Sequence, residues 1–247
     1  MRSLIQNVNE EIYRNSKELY QIGESALTPL IEAILPHDWS KIDNKNQMRL
    51  LTGVLSLIND INEEACQKTA KTIIEKGCTK AVKQCLNSIT SFTLNDYTLY
   101  NKYGINIYIL NELNDINVIE NKLEKWLSIV PEKDLQEIDR IYVVPYHEDY
   151  SYSGTYTPIL SYITLVWDTE NNQSFFWKWA ESFMVEQTLY HELGHHKHNH
   201  TFGQDNEQED EADEYAREFM KLNHPFIAFF VKLLKLFGIK KRKKQDD

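Results

Sequence analysis

The hydrophobic period of the chain changes near residue 95, and this change limits the folds that the chain can adopt. Before it, apolar residues recur with the spacing i, i+3, i+4, i+7 that places them on one face of an α-helix. The three sets are Leu27, Leu30, Ile31 and Ile34, then Leu51, Val54, Leu55 and Ile58, then Val82, Cys85, Leu86 and Ile89. The first 92 residues are therefore predicted to form helices in succession.

Two glycines, Gly23 and Gly77, stand where helices are expected to end. The stretch YQIGESALTPLIEAI (20–34) resembles a HEAT-type repeat, in which a glycine turn joins two antiparallel helices. The resemblance implies two to three such units within residues 1–95 and a surface that could bind a protein partner. An ordinary helical bundle would have the same periodicity, and both interpretations stay open at this point.

After residue 95 the composition favours strands. The segments INIYIL (105–110) and IDRIYVVP (138–145) are rich in β-branched and aromatic residues. Between them, VIENKLEKWLSIV (118–130) has the pattern of an amphipathic helix. The predicted order of elements in this part of the region is thus strand, helix, strand.

The remaining part of this region adds one strand region and two helices. The strand region covers 155–168, and Pro158 predicts an edge or irregular position for its first half. The helices cover about 175–198 and 208–222. The fold class predicted for the chain is thus α+β, with a helical region over 1–95 and a second domain over 96–222.

The net charge, the N-terminal residues and the cysteine content disfavour several classes of protein. The formal net charge of −10 disfavours general nucleic-acid binding. The first residues, MRSLIQNVNEEIYRNSK, have no long apolar run, so no signal peptide is predicted. The three cysteines include no CxxC pair, which disfavours a disulfide framework or a cysteine zinc site. A cytoplasmic location is expected from these features.

The segment YHELGHHKHNH (190–200) holds five of the eight histidines and contains the motif HExxH. Residues four apart on a helix share a face, so His191 and His195 can bind one ion. Glu192 would then reach a water molecule beside that ion. The motif predicts a Zn²⁺ site, and it needs a third ligand from elsewhere in the chain.

The third ligand is expected in the acidic segment EQEDEADEYAREFM (207–220). At about 100° per residue, one buried apolar stripe is formed by Ala212, Tyr215, Ala216, Phe219 and Met220. Glu209 and Asp213 lie along one margin of this stripe. The other glutamates cluster on the opposite, solvated side: Glu207, Glu211, Glu214 and Glu218. Glu209 is therefore the predicted third ligand, and Asp213 is predicted to hydrogen-bond the N–H of a ligating imidazole.

These two motifs together carry a family resemblance. HELGH followed by EDEAD (209–213) resembles the HExxH…ExxAD arrangement of gluzincin metallopeptidases. It is similar to the HtpX-like group and to the ImmA/IrrE group, whose run E-x-E-A-[DN]-x-[FY]-A is matched by EDEADEYA (209–216). The resemblance covers about residues 100–222. It implies a small zincin core with a backing helix, a short sheet with a substrate-binding edge strand, the HExxH helix and a glutamate helix.

The predicted function is a zinc-dependent metallopeptidase acting on a peptide or protein substrate. Three protein ligands would leave a fourth position for water, and Glu192 would act as the general base. The substrate would pair with an edge strand within 154–167. Candidate donors to the oxyanion of the reaction are Tyr152, Tyr156, Tyr215 and His200. The alternative is a non-catalytic, zinc-stabilised regulatory protein that binds partners through its helices.

Two further histidines receive no functional role from the sequence. His196 follows a ligand directly and points about 100° away from it, so it is predicted to lie on the surface. His198 stands near the helix end, where the helix dipole favours cationic or polar side chains.

The last segment, 223–247, differs from the rest of the chain. An apolar stretch of about 14 residues, too short to span a bilayer, is followed by the basic run KKRKK (240–244). Residues 226–244 are expected either to pack on the protein's own core or to lie on an anionic membrane surface.

Overall fold

The computed structural model describes residues 15–16, 18–41, 45–146, 153–167, 174–200 and 206–225. The expectations for Tyr152 and for residues 226–247 lie outside the described residues.

The N-terminal part is helical, as predicted. Its helices are α1 (Leu27–Ile34), α2 (Lys45–Ile61), α3 (Glu63–Lys76) and α4 (Lys80–Thr90). The side chains of Asn62 and Thr79 cap the N-termini of α3 and α4 by accepting from the backbone N–H of Ala65 and Val82. Gly77 ends α3 with φ 94°, a conformation that glycine adopts without a steric penalty.

The apolar spacing correctly identified the buried faces of these helices. The buried side chains of the three predicted sets are Leu30, Ile34, Leu51, Leu55, Ile58, Val82 and Leu86. Helix α3 has the same spacing in its buried residues, Cys66, Thr69, Ala70 and Ile73. The sequence analysis did not single out this helix because three of those four side chains are small or polar.

The second part contains one five-stranded sheet. Its strands are β1 (Tyr97–Lys102), β2 (Ile105–Leu110), β3 (Arg140–Pro145), β4 (Gly154–Thr157) and β5 (Tyr162–Trp167). The order in the sheet is β1-β2-β3-β5-β4, in which β2, β3 and β5 are parallel and both outer strands are antiparallel to their neighbours. The fold class of the described residues is therefore α+β.

Of the four helices described in the second part, three match the predicted ones closely, and the fourth, a single turn, was not predicted. The four are α5 (Ile116–Leu127), the one-turn α6 (Glu132–Leu135), α7 (Phe175–Lys197) and α8 (Asn206–Asn223). Strand β4 ends where a 3-10 turn begins at Pro158, which agrees with the predicted edge position of this segment.

Strand β1 was missed by the sequence analysis. None of its side chains is fully buried, and its sequence YTLYNK has one β-branched residue where INIYIL has three. The two-residue loop Tyr103–Gly104, with φ 54° and 77°, joins it to β2. A tight hairpin turn requires two successive positive φ values. Gly104, directly before INIYIL, was therefore the sequence signal for a hairpin and for a strand preceding it.

The two faces of the sheet have different chemistry. One face buries isoleucines and leucines, among them Ile107, Ile141 and Ile163, in one core cluster with residues of α5, α7 and α8. The opposite face has a row of tyrosines, in which Tyr108 stacks on Tyr142 and Tyr162 meets Tyr142 edge-on.

A second buried cluster is formed by α1–α4 together with Leu160, and Tyr162 packs against it. The helical part is also linked to the tyrosine face by an ion pair between Asp60 and Arg140, with 3.1 Å between Oδ1 and a terminal guanidinium nitrogen.

Helices α7 and α8 approach each other closely where Gly194 faces Ala212. A Cβ atom on Gly194 would lie 2.8 Å from Ala212 Cα and 3.2 Å from Tyr215 Cβ. Ala212 and Ala216 are fully buried, as predicted for the apolar stripe of this helix. The absence of side-chain bulk at this crossing brings the first turns of α8 beside the last turns of α7, where the motif histidines lie.

Among the residues that the structure describes, no helix is both long enough and apolar enough to cross a membrane.

Candidate metal centre

The two motif histidines converge at the end of α7. Their Nε2 atoms are 3.1 Å apart, and their ring planes are nearly perpendicular at 82°. Both are on the same helix face because they are separated by four residues. The structure thus brings together the pair that the motif predicted.

Glu209, in the first turn of α8, completes a cluster of three. Its Oε2 lies 3.3 Å from His191 Nε2, and its Oε1 lies 3.7 Å from His195 Nε2. The three side chains form a group whose potential ligand atoms all lie within 4.8 Å of one another. Glu209 therefore has the position that the phase of α8 predicted for a third ligand.

The other nitrogen of His191 is held by Asp213. His191 Nδ1–H donates to Asp213 Oδ1 over 3.0 Å. A carboxylate can only accept, so this hydrogen bond places the proton on Nδ1 and leaves the lone pair on Nε2. Asp213 thereby orients the ring as the sequence analysis expected.

The other nitrogen of His195 is held by a second histidine. His195 Nδ1 lies 2.8 Å from His200 Nδ1, and His200 Nε2 lies 3.0 Å from Glu211 Oε2. Because the Glu211 carboxylate accepts from His200 Nε2–H, the Nδ1 atom of a neutral His200 is an acceptor, and His195 Nδ1–H donates to it. This chain of two hydrogen bonds leaves the lone pair of His195 on Nε2.

These proton positions decide whether the cluster fits a metal ion. When both imidazoles are neutral, the two Nε2 atoms carry lone pairs, face each other at 3.1 Å and have no proton to share, and a carboxylate lies beside them. Such an arrangement is repulsive unless a cation lies between the three groups. Two imidazoles and a carboxylate are ligands that Zn²⁺ prefers, and tetrahedral zinc would separate such ligand atoms by roughly 3.3 Å. The residues therefore fit a zinc ion.

Burial also keeps His195 in the form that can bind a metal. Burial, together with the neighbouring His191 and His200, lowers the pKa of His195 to about 4. The imidazole is therefore neutral at physiological pH, and no proton has to be displaced for its lone pair to bind a cation.

Glu192 lies beside the cluster and is only 7% exposed. Its pKa is raised to about 8, first by burial and further by the charge of Glu209, although the backbone N–H of Tyr156 donates to its carboxylate. A nearby divalent cation would favour the ionised form and so oppose this rise. The arrangement is a buried carboxyl, held by strand β4, next to three potential metal ligands.

The described candidates for the oxyanion donor each have another partner. Tyr215 donates its hydroxyl hydrogen bond to Asp134 Oδ2 over 3.1 Å. The hydroxyl of Tyr156 is 3.0 Å from His196 Nδ1. His200 faces the Nδ1 side of His195, away from the Nε2 atoms of the cluster.

One expectation about the surface of the site was wrong, and a second was right but incomplete. His196, predicted to lie on the surface, is half-buried because its Nε2–H donates to the Gln136 carbonyl while its Nδ1 accepts from Tyr156. Glu211 lies on the solvated side of α8 as predicted, with its side chain 56% exposed, but its carboxylate also bonds to His200. In both cases a partner from a distant element decides the environment.

The position of His200 depends on how α7 ends. Asn199 has φ 55°, and the backbone N–H of His200 then bonds to the carbonyl of His195 over 3.0 Å. Asparagine tolerates this left-handed conformation and often ends helices in this way. The pair Asn199–His200 was therefore a signal, missed by the sequence analysis, that the chain turns back onto His195.

We expect His200→Ala to lower zinc affinity by about 10- to 100-fold, the usual effect of removing a group that orients a ligand. The reason is that His195 would lose the acceptor that fixes its proton on Nδ1. The measurement is competition for zinc with a chromophoric chelator. His198→Ala is the matched control, since His198 is exposed and belongs to the same turn. Equal zinc affinities of the two variants would contradict the role given to His200.

Comparisons of the chain with protein-family models, with curated proteins and with solved structures each gave no match. The interpretation of the site therefore depends on its own geometry.

Proposed function

We propose that this chain is a zinc-dependent metallopeptidase that hydrolyses peptide bonds with Glu192 as the general base. The observation that carries the proposal is the pair of Nε2 lone pairs facing each other beside Glu209, with the buried carboxyl of Glu192 next to them. His191, His195 and Glu209 would hold the ion. This proposal agrees with the gluzincin resemblance of the two motifs.

The ligand number favours catalysis over a purely structural role. Structural zinc sites are usually closed by four protein ligands, whereas catalytic sites use three. Among the described residues, the cluster contains three. When bound, zinc would supply Lewis acidity, which polarises a substrate carbonyl and makes water a stronger acid.

Glu192 would do the proton transfer. In its ionised form it can accept a proton from the attacking water and then donate it to the leaving amine. The Tyr156 N–H restricts the carboxyl to one position, and burial excludes bulk water from it. A fixed, poorly solvated carboxylate is a stronger base than one on the surface.

Strand β4 offers a place for the substrate. It is the last strand of the sheet in the described part of the chain, and it contacts Glu192 through Tyr156. An extended peptide could add to this edge by backbone hydrogen bonds, which would bring a peptide bond next to Glu192. This geometry favours peptide-bond hydrolysis over reactions on compact small molecules.

The proposal extends to the helical part and to the location of the protein. Helices α2, α3 and α4 follow one another with connections of one to three residues, and α1–α4 share one core, which agrees with HEAT-like units that bind a protein partner. The expected setting is the cytoplasm.

The test is a peptide library digested by the purified protein and analysed by mass spectrometry. We expect cleavage by the protein as purified, none after treatment with EDTA, and recovery when zinc is returned. Magnesium is the matched control, because it prefers oxygen ligands and should not restore cleavage. If zinc binds and raises the melting temperature but no peptide is cut, the proposal is wrong and the zinc-stabilised regulatory protein takes its place.

A further inference from the structure

A cavity of about 540 Å³ lies on the tyrosine face of the sheet, under the helical part. Helices α2 and α4 contribute Thr52 and Ser88 to its wall, and the sheet contributes Tyr142 and Tyr162. Its volume lies within the roughly 300–1,000 Å³ of small-molecule sites. The cavity is separate from the metal cluster, since none of the metal ligands lines it.

Three buried oxygen atoms in residues that line this cavity have no hydrogen-bond donor. They are Asn59 Oδ1, Asp60 Oδ2 and Glu63 Oε1. Buried polar atoms are normally hydrogen-bonded, so each exception calls for a partner. Three acceptors grouped at the end of α2 and the start of α3 indicate a partner that brings several donors.

The charges around these acceptors favour a cation. Arg140 is already engaged by Asp60 at 3.1 Å and by Asp139 at 2.8 Å, and it also donates to the Tyr142 hydroxyl. The cavity wall therefore has two carboxylates, Asp60 and Glu63, and one guanidinium, whose Nε lies close to Asp139 but has no aligned hydrogen-bond acceptor. The two acids outnumber the one base, so the excess charge of this wall is negative. Burial raises the pKa of Asp60 to about 6 in spite of Arg140, which indicates that its charge is incompletely compensated.

Four aromatic side chains also line the cavity. Phe92 and Tyr97 meet edge-on with 6.4 Å between ring centroids, and Tyr142 and Tyr162 do so at 5.6 Å. Aromatic rings attract cations over their faces and pack well against flat apolar groups. Arg140 already lies over the rings of Tyr142 and Tyr162, at 5.8 and 5.4 Å from their centroids. These rings therefore suit the flat apolar body of a ligand rather than its charge.

We infer that this cavity binds a small organic cation in which an ammonium, amidinium or guanidinium group is attached to a flat apolar body. The N–H groups would donate to Asn59, Asp60 and Glu63, and the body would lie among the aromatic rings. A neutral sugar could also donate hydrogen bonds, but it would leave the carboxylate of Glu63 without a counter-charge. Water alone would leave the same charge uncompensated.

Strand β4 contributes to both the cavity and the surroundings of the metal cluster, but from opposite faces. Thr155 and Thr157 of β4 line the cavity, whereas Gly154 of the same strand faces Thr188 and Glu192 of α7. Side chains alternate between the two faces of a strand. The two sites are therefore on opposite sides of β4, and binding in the cavity can be measured without zinc and without a cleavage assay.

The test uses ligand-observed NMR titrations of the full chain with benzamidine, phenethylamine and phenylguanidine. Benzamide and benzoate are the neutral and anionic controls for benzamidine. We expect at least one of the three cations to bind. If benzamidine binds, benzamide and benzoate should each bind more than 10-fold more weakly than it does. Binding of benzamide or benzoate as tight as that of benzamidine, or the binding of none of the three cations, would overturn the inference.

A pair of variants connects the binding to the cavity. Glu63→Gln should weaken cation binding by about 10-fold or more, since a charge-assisted hydrogen bond becomes a neutral one. Glu64→Gln is the matched control, because Glu64 is in the same first turn of α3 but is exposed. Melting curves of both variants check that the fold is intact. Unchanged binding by Glu63→Gln would place the cation elsewhere and reject the assignment.

Discussion

Replacing Glu192 with Gln is expected to lower peptide cleavage by about 100- to 10,000-fold, the usual contribution of a general base, while zinc content and melting temperature stay unchanged. Glutamine keeps the shape of the side chain, and its amide oxygen can still accept from the Tyr156 N–H that holds Glu192. It cannot accept a proton from water at neutral pH. The variant therefore separates the base function from folding and from metal binding.

The measurements are steady-state cleavage of a library-derived peptide, zinc content by elemental analysis and thermal unfolding. Glu214→Gln is the control, since Glu214 is an exposed residue of α8. It should behave like the wild type, so that a loss seen only in Glu192→Gln can be assigned to that position. Full activity of Glu192→Gln with zinc bound would mean that another group is the base.

A second large effect is expected from Glu209→Ala. Removing a direct ligand should cost more zinc affinity than the roughly 10- to 100-fold typical of an orienting group, so a loss above about 100-fold is expected. Asp210→Ala is the control, because Asp210 is the exposed next residue of the same turn. Competition with a chromophoric chelator measures both.

Glu211→Ala gives a third comparison at this site. Glu211 bonds to His200, which in turn holds His195, so an intermediate loss of about 10- to 100-fold is expected. If Glu211→Ala loses zinc fully while Glu209→Ala keeps it, the third ligand has been assigned to the wrong residue of α8.

Much of the site could be predicted because it depends on helical periodicity. His191 and His195 are four residues apart on one helix, and the phase of α8 separated Glu209 and Asp213 from the other acids. The same periodicity identified the buried faces of α1, α2 and α4. The starts of strands β2 and β3 were predicted within two residues, and one predicted strand region covered both β4 and β5.

The environments of His196, His200 and Glu211 could not be predicted in the same way. Each depends on a partner that is distant in the chain or lies beyond the end of a helix: Gln136 and Tyr156 for His196, and the turn at Asn199 for His200 and Glu211. Helical phase says which way a side chain points. It does not say what lies there.

The sequence by itself determined the α+β class, the helical first part and the three residues that converge as potential metal ligands, because these follow from local periodicity and from side-chain chemistry. Only the tertiary structure decided the sheet order, the polar strand β1, the proton positions on the histidines and the cavity at Asp60 and Glu63. Those features depend on packing between elements far apart in the chain, such as Gly194 against Ala212 and Asp60 against Arg140. Such contacts leave no periodic pattern in the sequence, since each depends on one pair of residues rather than on a repeat.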